Sequence, residues 1–273
     1  MCRSSAKGGR KCPTHSDPQW IAERNARRRA AYAQKVHPVT AFENPHQPEG
    51  EKRIIHTPLD EEWKKFADDS RAFESKVTDE LLRKELQDYT GAHFVPIRDY
   101  LNGVNLETNE PLNLTPEEEA DLKSRVTRLD EAISLAEKPS QPRKLYRGIS
   151  VNESHGDIED WISKNYPVGE TVEQKSYMSS SMNPHQAVYF GETTTGTQPE
   201  REIVFEFLTK EGAPLGDETS MLGLREQEVI LPRNSKFKVA AVHRNSDFTY
   251  GNNEGDSLNR TFRKTVIQLI DVD

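Results

Sequence analysis

Apolar positions in the N-terminal half of the chain recur at the spacing of one helix face. The first stripe consists of Trp63, Phe66, Phe73, Val77 and Leu81. Thr57 can act as its N-cap, because a proline and then an acid follow at positions typical of a first helical turn. The pattern therefore predicts one helix that runs toward Gln87, and we expect its aromatic residues to lie in the core.

Two further helices are indicated before residue 140. The glycine of the polar turn Tyr89-Thr90-Gly91 can end the first helix, and Ile97 and Leu101 resume an apolar face after it. This turn is either a simple cap or a turn that faces a ligand. The motif Thr115-Pro116-Glu117-Glu118 is a capping box, and it opens a helix that ends before Pro139. The apolar stripe of that helix is Leu122, Val126, Leu129 and Ile133.

The pattern changes after residue 144 to short apolar runs separated by Gly, Asn, Asp, Ser and Pro, which is typical of strands. The predicted strands cover residues 145–149, 202–208, 227–231, 237–242 and 265–270. Helices first and strands afterwards predict an α+β domain rather than alternating βαβ units. The chain contains neither a Gly-x-Gly-x-x-Gly turn after a strand nor a Gly-Lys-Ser/Thr loop. A bound nucleotide would therefore not lie in a dinucleotide-binding Rossmann site or a P-loop.

Charge is unevenly distributed along the 273 residues. The formal net charge is -8, but residues 1–56 hold 11 Lys/Arg against 5 Asp/Glu, a charge of +6 that leaves -14 for the rest. We interpret residues 1–56 as a basic, largely flexible N-terminal arm. It is either simply solvated or an electrostatic tether to nucleic acid or another acidic surface. No aromatic residues interleave with its central cluster of Arg24, Arg27, Arg28 and Arg29, which argues against base stacking.

Residues 57–273 are predicted to form one domain, helical over about residues 57–138 and strand-rich over about residues 144–273. Both cysteines, Cys2 and Cys12, fall in the arm, so the domain needs no disulfide framework. With His15 they could ligate zinc in principle, but three irregularly spaced ligands are a weak signal, and we expect no metal. The chain has no run of about 18 apolar residues and no secretion signal, so we expect a cytoplasmic protein without membrane contact.

Three polar segments occur among the predicted strands. Arg147 interrupts an apolar strand just before Gly148, where a lone arginine would ordinarily reach solvent or pair with an acid. The hydroxyls of Ser179-Ser180-Ser181 end another strand and precede a short amphipathic helix, although serine runs are usually turns. Glu226 and Glu228 stand two residues apart at the start of an apolar run, and alternate residues of a strand share a face. The two acids are therefore predicted to face one site.

This ordered combination of Arg, Ser-x-Ser and Glu-x-Glu resembles the ADP-ribosyltransferase toxins of the clostridial binary type. Ala187 and Phe190 follow the serines as in that family, and the segment from Tyr89 to Leu101 is similar to the start of the family's domain. The resemblance covers residues 57–273 and implies two packed, mostly antiparallel β-sheets around a central NAD cleft. It implies an enzyme that transfers ADP-ribose from NAD, its co-substrate, and releases nicotinamide.

The chain departs from the family pattern at three positions: Ser180 replaces the usual middle Thr of the serine box, Arg98 replaces an Asn, and Phe94 replaces a frequent Tyr. Arg98 could serve a phosphate of the nucleotide. The arm has no counterpart in the family fold, and its arginine-rich composition is similar to leaders on actinobacterial and actinobacteriophage proteins. This likeness implies an actinobacterial or phage source, with expression in a bacterial host or delivery into it by a phage.

The chemistry of ADP-ribose transfer gives these residues expected roles. Positive charge develops on the ribose as its bond to nicotinamide breaks, and a carboxylate such as Glu228 can stabilise it, acting through the ribose 2′-hydroxyl. Ser179 can hold this carboxylate by a hydrogen bond, and Arg147 offers a bidentate donor to the diphosphate. Gly148 leaves its backbone free to approach the nicotinamide amide, and Phe190 offers a ring face. The resemblance adds three NAD-binding candidates: Tyr89, Arg98 and Ser181.

Glu226 is expected to orient or deprotonate the acceptor. In the family that the chain resembles, Glu at this position accompanies arginine as the acceptor, and an acid pairs well with a guanidinium. We therefore expect a mono-ADP-ribosyltransferase that modifies an arginine on a protein. The loop over about residues 216–225 would face that target, with Met221 and Leu222 as exposed apolar contacts. The alternatives are an NAD glycohydrolase, a nucleic-acid ADP-ribosyltransferase, and a non-catalytic virion or interaction protein that retains the fold.

Overall fold

The computed structural model describes residues 52–56, 60–91, 93–193, 201–251 and 260–272, with side chains for residues 61–91, 93–188, 201–244 and 264–272. Contacts between residues divide the chain into Met1–Val39 and Thr40–Asp273, and every described residue belongs to the second unit. The predictions for the arm up to residue 51, including its arginine cluster and the candidate zinc ligands Cys2, Cys12 and His15, lie outside the described residues.

The described part of the chain contains six α-helices: α1 Asp60–Glu74, α2 Glu80–Thr90, α3 Phe94–Asn102, α4 Pro116–Ser134, α5 Ile158–Asn165 and α6 Pro184–Thr193. Helices α1 to α4 precede most of the strands, as the sequence predicts. Among these helices, none combines the length and the apolarity that crossing a bilayer requires.

The prediction of one helix toward Gln87 is wrong, because the chain breaks between α1 and α2. Asp79 is the N-cap of α2, and its side chain accepts a hydrogen bond of 2.7 Å from the backbone N–H of Leu81. The break turns the second segment, so Leu81 is 65% exposed rather than part of the apolar face. Trp63, expected in the core, is 38% exposed, whereas Phe66 and Phe73 are buried as predicted.

Two helix ends that carry capping signals are confirmed, whereas the predicted N-cap Thr57 lies outside the described residues. Gly91 is the C-cap of α2, and its N–H donates to the carbonyl of Asp88. Thr115 and Glu118 form the reciprocal capping box of α4, with bonds of 2.8 Å and 3.2 Å between their side chains and backbone N–H groups. Local hydrogen bonds of this kind are decided by neighbouring residues, which is why the sequence predicts them well.

The residues that the structure describes form nine strands: β1 Lys52–His56, β2 Arg143–Ser150, β3 Thr171–Gln174, β4 Met178–Ser181, β5 Glu202–Thr209, β6 Ala213–Pro214, β7 Glu228–Leu231, β8 Ser235–Gly251 and β9 Arg260–Asp271. Hydrogen bonds join them in the order β1-β8-β9-β5-β2-β4-β7-β6, with β3 also on β8. The pairs β1–β8 and β5–β9 are parallel, and the other pairs between these strands are antiparallel. The predicted α+β class with mostly antiparallel strands is confirmed.

The sheet has two parts that meet at β2 and β4. These strands share a single residue pair, Tyr146 with Ser181, whereas β2 runs beside β5 along its whole length. The two predicted sheets are therefore connected parts of one hydrogen-bonded network. Strand β1 lies inside the range predicted as arm and pairs with residues 247–251 of β8, so the sheet begins before residue 57. Its Ile54-Ile55 pair is typical of a strand.

Strand β7 lies between two apolar cores. Val229 and Leu231 pack into a core that also contains Phe205 and Phe237 from the larger part of the sheet. Ile230 points to the opposite side, into a second core built mainly by helices α2 to α4. Because both faces are buried, the strand is continuously apolar after its first residue, Glu228. That carboxylate thus lies at the start of a fully buried strand, beside the junction of β2 and β4.

Candidate active site

Arg147 brings a cation to this junction from strand β2. Its Nη1 donates a hydrogen bond to the backbone carbonyl of Ser179 on β4. Burial lowers the pKa of Arg147, and the nearby groups that favour its charged form include Tyr89 and Glu228. An arginine keeps its charge under such shifts. The side chain is therefore a fixed, partly buried positive charge beside a carboxylate.

The serine box lies along β4, which pairs with β7 so that Ser179 is opposite Ile230 and Ser181 is opposite Glu228. The hydroxyl of Ser179 acts on the Glu228 carboxylate as a hydrogen-bond donor that lowers its pKa. Ser181 acts on the backbone instead: its hydroxyl donates to the carbonyl of Glu226 and accepts a bond of 2.9 Å from the N–H of Asn183. In this structure the Ser181 hydroxyl positions Glu226, and its assignment to NAD stays a prediction.

The prediction that Glu226 and Glu228 lie on one strand face is wrong. Glu226 ends a 3-10 turn, Gly223–Glu226, and Gln227 adopts a left-handed conformation with φ of 48° before β7 begins at Glu228. Strand alternation therefore does not apply between the two acids. They are nevertheless close enough that the charge of Glu226 raises the pKa of Glu228. The tight turn, rather than the pleat of a strand, brings the carboxylates together.

Glu228 is a buried carboxylate with two hydroxyl donors. Burial raises its pKa to about 7, and hydrogen bonds from Ser179 and Ser220 and the charge of Arg147 oppose this effect. The hydroxyl of Ser220 lies 3.2 Å from Oε2 of Glu228. Ser220 is not predictable from the sequence, because a serine in a loop eight residues upstream carries no periodic signal that could reveal this contact.

Glu226 is also buried, and it has a partner that the sequence analysis did not assign. Nε2 of Gln186, on helix α6, donates a hydrogen bond of 3.1 Å to Oε1 of Glu226. Burial raises the pKa of Glu226, and the bond from Gln186 lowers it. Gln186 is next to Ala187, which belongs to the segment after the serine box that resembles the family. This position in the sequence is the signal that could have indicated Gln186.

Tyr89 lies beneath the site rather than open to it. Its side chain is buried, its hydroxyl donates to the carbonyl of Tyr177 over 3.1 Å, and the two rings meet edge to face with centroids 5.7 Å apart. Burial raises the pKa of Tyr89, with Arg147 and Glu228 among the charges that act on it. Tyr89 thus supports the floor of the site, and direct contact with NAD remains a prediction.

Two departures from the family pattern contact each other. The guanidinium of Arg98 lies 5.8 Å from the centroid of the Phe94 ring, a cation–π distance. Two of its nitrogens also donate to Oδ1 of Asp99, at 2.9 Å and 2.8 Å. The charge of Arg98 lowers the pKa of Arg147, so two cations lie in the same region. Arg98 is held in place on helix α3, where it could still present its remaining donors to a phosphate.

The remaining predicted NAD contacts lie on β2 and α6. Gly148 pairs with Val204 of β5, one residue after Arg147. Phe190 belongs to helix α6, whose presence confirms the predicted short helix, but its side chain lies outside the described residues. Among the described residues, no group of three or more His, Cys, Asp or Glu side chains could hold a metal ion.

Ser220→Ala is expected to move the pH dependence of the site. The Ser220 hydrogen bond lowers the pKa of Glu228, so its loss should raise that pKa above about 7. Ionisation of Glu228 would then require a higher pH. Titration of Glu228 by NMR, in the wild type and in the variant, measures the shift. An unchanged titration would show that the hydroxyl does not interact with the carboxylate.

Comparisons with known proteins show a shared fold. A sequence model of the family described as ADP-ribosyltransferase exoenzyme matches residues 62–267. The Vis toxin, an ADP-ribosyltransferase from Vibrio splendidus, is similar with a TM-score of 0.51 and 16% identity, covering 85% of this chain and 91% of that chain. Plx2a, an ADP-ribosyltransferase toxin from Paenibacillus larvae, is similar with a TM-score of 0.50 and 17% identity, covering 78% and 96%.

The structure of C3stau2 from S. aureus with NAD is similar with a TM-score of 0.50 and 17% identity, covering 83% of this chain and 100% of that chain. No curated protein sequence matches the chain. These structural likenesses confirm the fold class predicted from the sequence.

Proposed function

The chain belongs to the ADP-ribosyltransferase exoenzyme family, and we propose that it transfers ADP-ribose from NAD to an arginine side chain of a protein. One observation carries the proposal: a buried carboxylate, Glu228, is held by two hydroxyls beside Arg147, with a second acid, Glu226, at the adjacent turn. Such a pair of acids provides one group for the donor and one for the acceptor.

The charges at the site suit NAD as the substrate. In the proposed reaction, cleavage of the bond between the ribose and nicotinamide leaves the electron pair on the nicotinamide nitrogen and positive charge on the sugar. A buried carboxylate stabilises that charge more strongly than an exposed one, because little water screens it. Arg147 supplies a fixed cation for the diphosphate, and Arg98 lies near enough to share this role. The presence of NAD in the C3stau2 structure supports this choice of substrate.

Glu226 supports arginine as the acceptor. Its carboxylate is oriented by Gln186 and lies near Glu228, where it can pair with an incoming guanidinium. A guanidinium nitrogen then bonds to the ribose carbon that nicotinamide leaves, and the nitrogen loses a proton to Glu226 or to water. The Vis toxin, which shares the fold, has been solved in complex with agmatine, a compound with a guanidinium group.

Incubation with biotin-labelled NAD and either proteins, agmatine or nucleic acid tests the proposal. We expect nicotinamide release together with label on protein that protease removes and nuclease does not. Label that only nuclease removes would favour a nucleic-acid transferase, and nicotinamide release without label would favour a glycohydrolase. No nicotinamide release by the wild type would show a non-catalytic protein that retains the fold. Mass spectrometry of labelled peptides identifies the modified residue.

Nicotinamide release is expected to depend on pH with a midpoint near 7. Burial raises the pKa of Glu228 to about 7, and only the ionised form stabilises positive charge on the ribose. Below this midpoint, kcat/KM for NAD should fall by about a factor of ten per pH unit, since this ratio reports groups of the free enzyme. A steady-state profile from pH 5 to pH 9 measures it. A midpoint near the ordinary glutamate pKa would contradict the proposed environment of Glu228.

The raised pKa of Glu228 also predicts how the free energy of unfolding changes with pH. Because the pKa of Glu228 is higher in the folded protein than in the unfolded chain, the folded protein keeps this proton up to a higher pH. Its contribution to the free energy of unfolding is therefore greatest below the unfolded pKa, and it is lost as pH rises through the folded pKa of about 7.

A further inference from the structure

The loop Gly216–Arg225 is attached to the helical part of the domain through a buried carboxylate at the end of α1. Oε1 of Glu74 accepts hydrogen bonds from the backbone N–H of Glu218 at 2.7 Å and from the hydroxyl of Thr219 at 3.1 Å. The backbone at Gly216 passes so close that an added Cβ would lie 2.6 Å from the Glu74 carboxylate. Glu74 itself is only 8% exposed. The loop backbone therefore packs tightly against the Glu74 carboxylate, and the hydrogen bond to Glu218 joins residues 144 positions apart.

Helix α2 holds the same loop from its C-terminal end. Nε2 of Gln87 donates to the carbonyl of Glu218 at 2.8 Å, and the N–H of Met221 donates to the hydroxyl of Thr90 at 2.9 Å. The turn Tyr89-Thr90-Gly91, which the sequence leaves open between a cap and a ligand-facing turn, therefore caps α2 and also binds this loop. Helices α1 and α2 therefore bind the loop backbone on both sides of Thr219, at Glu218 and at Met221.

The anchored loop reaches both acids of the site and the surface. Ser220, directly after the Glu74 contact, bonds to Glu228, and the loop leads into the 3-10 turn that ends at Glu226. Met221 and Leu222 are 70% and 56% exposed at its tip, as the sequence predicts. Because the loop backbone is fixed by Glu74, these apolar side chains are presented to the surface in one arrangement.

We propose that Glu74 is a positioning residue for the acceptor: its carboxylate holds the loop so that Glu226 and the Met221-Leu222 tip meet the incoming side chain. The inference rests on the function proposed above and assigns a role to a residue outside the Arg, Ser-x-Ser and Glu-x-Glu motifs. Loss of the Glu74 contact should affect acceptor use more than NAD cleavage, because Ser179 on β4 continues to hold Glu228.

Glu74→Ala tests the inference with agmatine as the acceptor. At saturating NAD, kcat/KM for agmatine is expected to fall about 10- to 100-fold, the size of effect that one or two hydrogen bonds to a charged group produce. Nicotinamide release without agmatine should change much less, so the ratio of transfer to release falls. Glu74→Gln keeps an acceptor oxygen at this position, and we expect it to recover most of the ratio.

Glu85→Ala provides a matched control. Glu85 is a buried carboxylate on α2 that accepts hydrogen bonds from Arg125 and Arg128 on α4. Its loss should lower Tm and leave the ratio of transfer to release unchanged. If Glu74→Ala lowers both rates by the same factor, as a destabilised protein would, the inference is overturned.

Two further outcomes keep the inference apart from the proposed function. If Glu74→Ala does not fold, Gln87→Ala removes a single bond to the same loop, and an unchanged ratio in this variant overturns the inference. If the wild type releases nicotinamide without modifying agmatine, the arginine function fails, and the inference falls with it. If the wild type modifies agmatine and Glu74→Ala has the same ratio of transfer to release, the role of Glu74 is contradicted and the proposed function stands.

Discussion

Glu228→Gln should lower nicotinamide release from NAD by about 100- to 1,000-fold, the range observed when one preorganised group that stabilises transition-state charge is removed. The substitution keeps the shape and hydrogen-bonding capacity of the side chain but removes its negative charge. In the structure that charge is buried, held by Ser179 and Ser220 and placed beside Arg147. The rate of nicotinamide release at saturating NAD, measured at pH 8, gives the effect directly.

A stability measurement separates this loss from unfolding. Burial raises the pKa of Glu228 to about 7, so the ionised group opposes folding at pH 8. The neutral glutamine should therefore leave Tm at pH 8 unchanged or higher. Glu137→Gln, which alters an exposed carboxylate outside the site, provides the control and should release nicotinamide at the wild-type rate. Equal release by Glu228→Gln and the wild type would contradict the enzyme proposal.

Glu226→Gln should remove transfer to agmatine, by about 100-fold or more, because a general base or a charged orienting group contributes at least this much. Nicotinamide release in the absence of an acceptor should stay near the wild-type rate, since Glu228 and its two hydroxyls are unchanged. The measurement compares ADP-ribosyl-agmatine with free ADP-ribose. Loss of both activities together would show that the roles of the two acids are misassigned.

The same variant should also move the pH profile, in the direction opposite to Ser220→Ala. The charge of Glu226 raises the pKa of Glu228, so its removal lowers that pKa, and nicotinamide release persists to lower pH. Glu218→Gln offers a matched control, because it neutralises another carboxylate of the same loop that is exposed and paired with Arg83. A shift shared by both variants would point to a general change in the charge of the loop.

Local signals in the sequence were sufficient for many of the elements. The capping box of α4 and the C-cap at Gly91 depend on residues within one turn of each other, and both predictions are confirmed. The longer apolar runs became β5 and β9. Short elements were missed, such as α5, which has eight residues, and β6, which has two. The break at Asp79 was missed because the apolar spacing continues across it.

The residue types of the site and their order along the chain can be read from the sequence. Arg147, Ser179 and Glu228 lie on separate strands, and the resemblance to the family makes them candidates before their positions are known. The distances among them depend on β4 pairing with both β2 and β7, which involves residues far apart in the chain. No local pattern encodes such a pairing, because its register is decided by packing across the whole sheet.

The two glutamates illustrate this division most clearly. Their types and their separation by one residue are properties of the sequence, and they were enough to propose one acid for NAD and one for the acceptor. Their geometry follows from the tertiary structure: Gln227 turns the chain at a positive φ, Ser181 holds the carbonyl of Glu226, and β7 buries Glu228. Burial between packed elements also raises the pKa of Glu228, since desolvation requires neighbours that only the folded chain brings together.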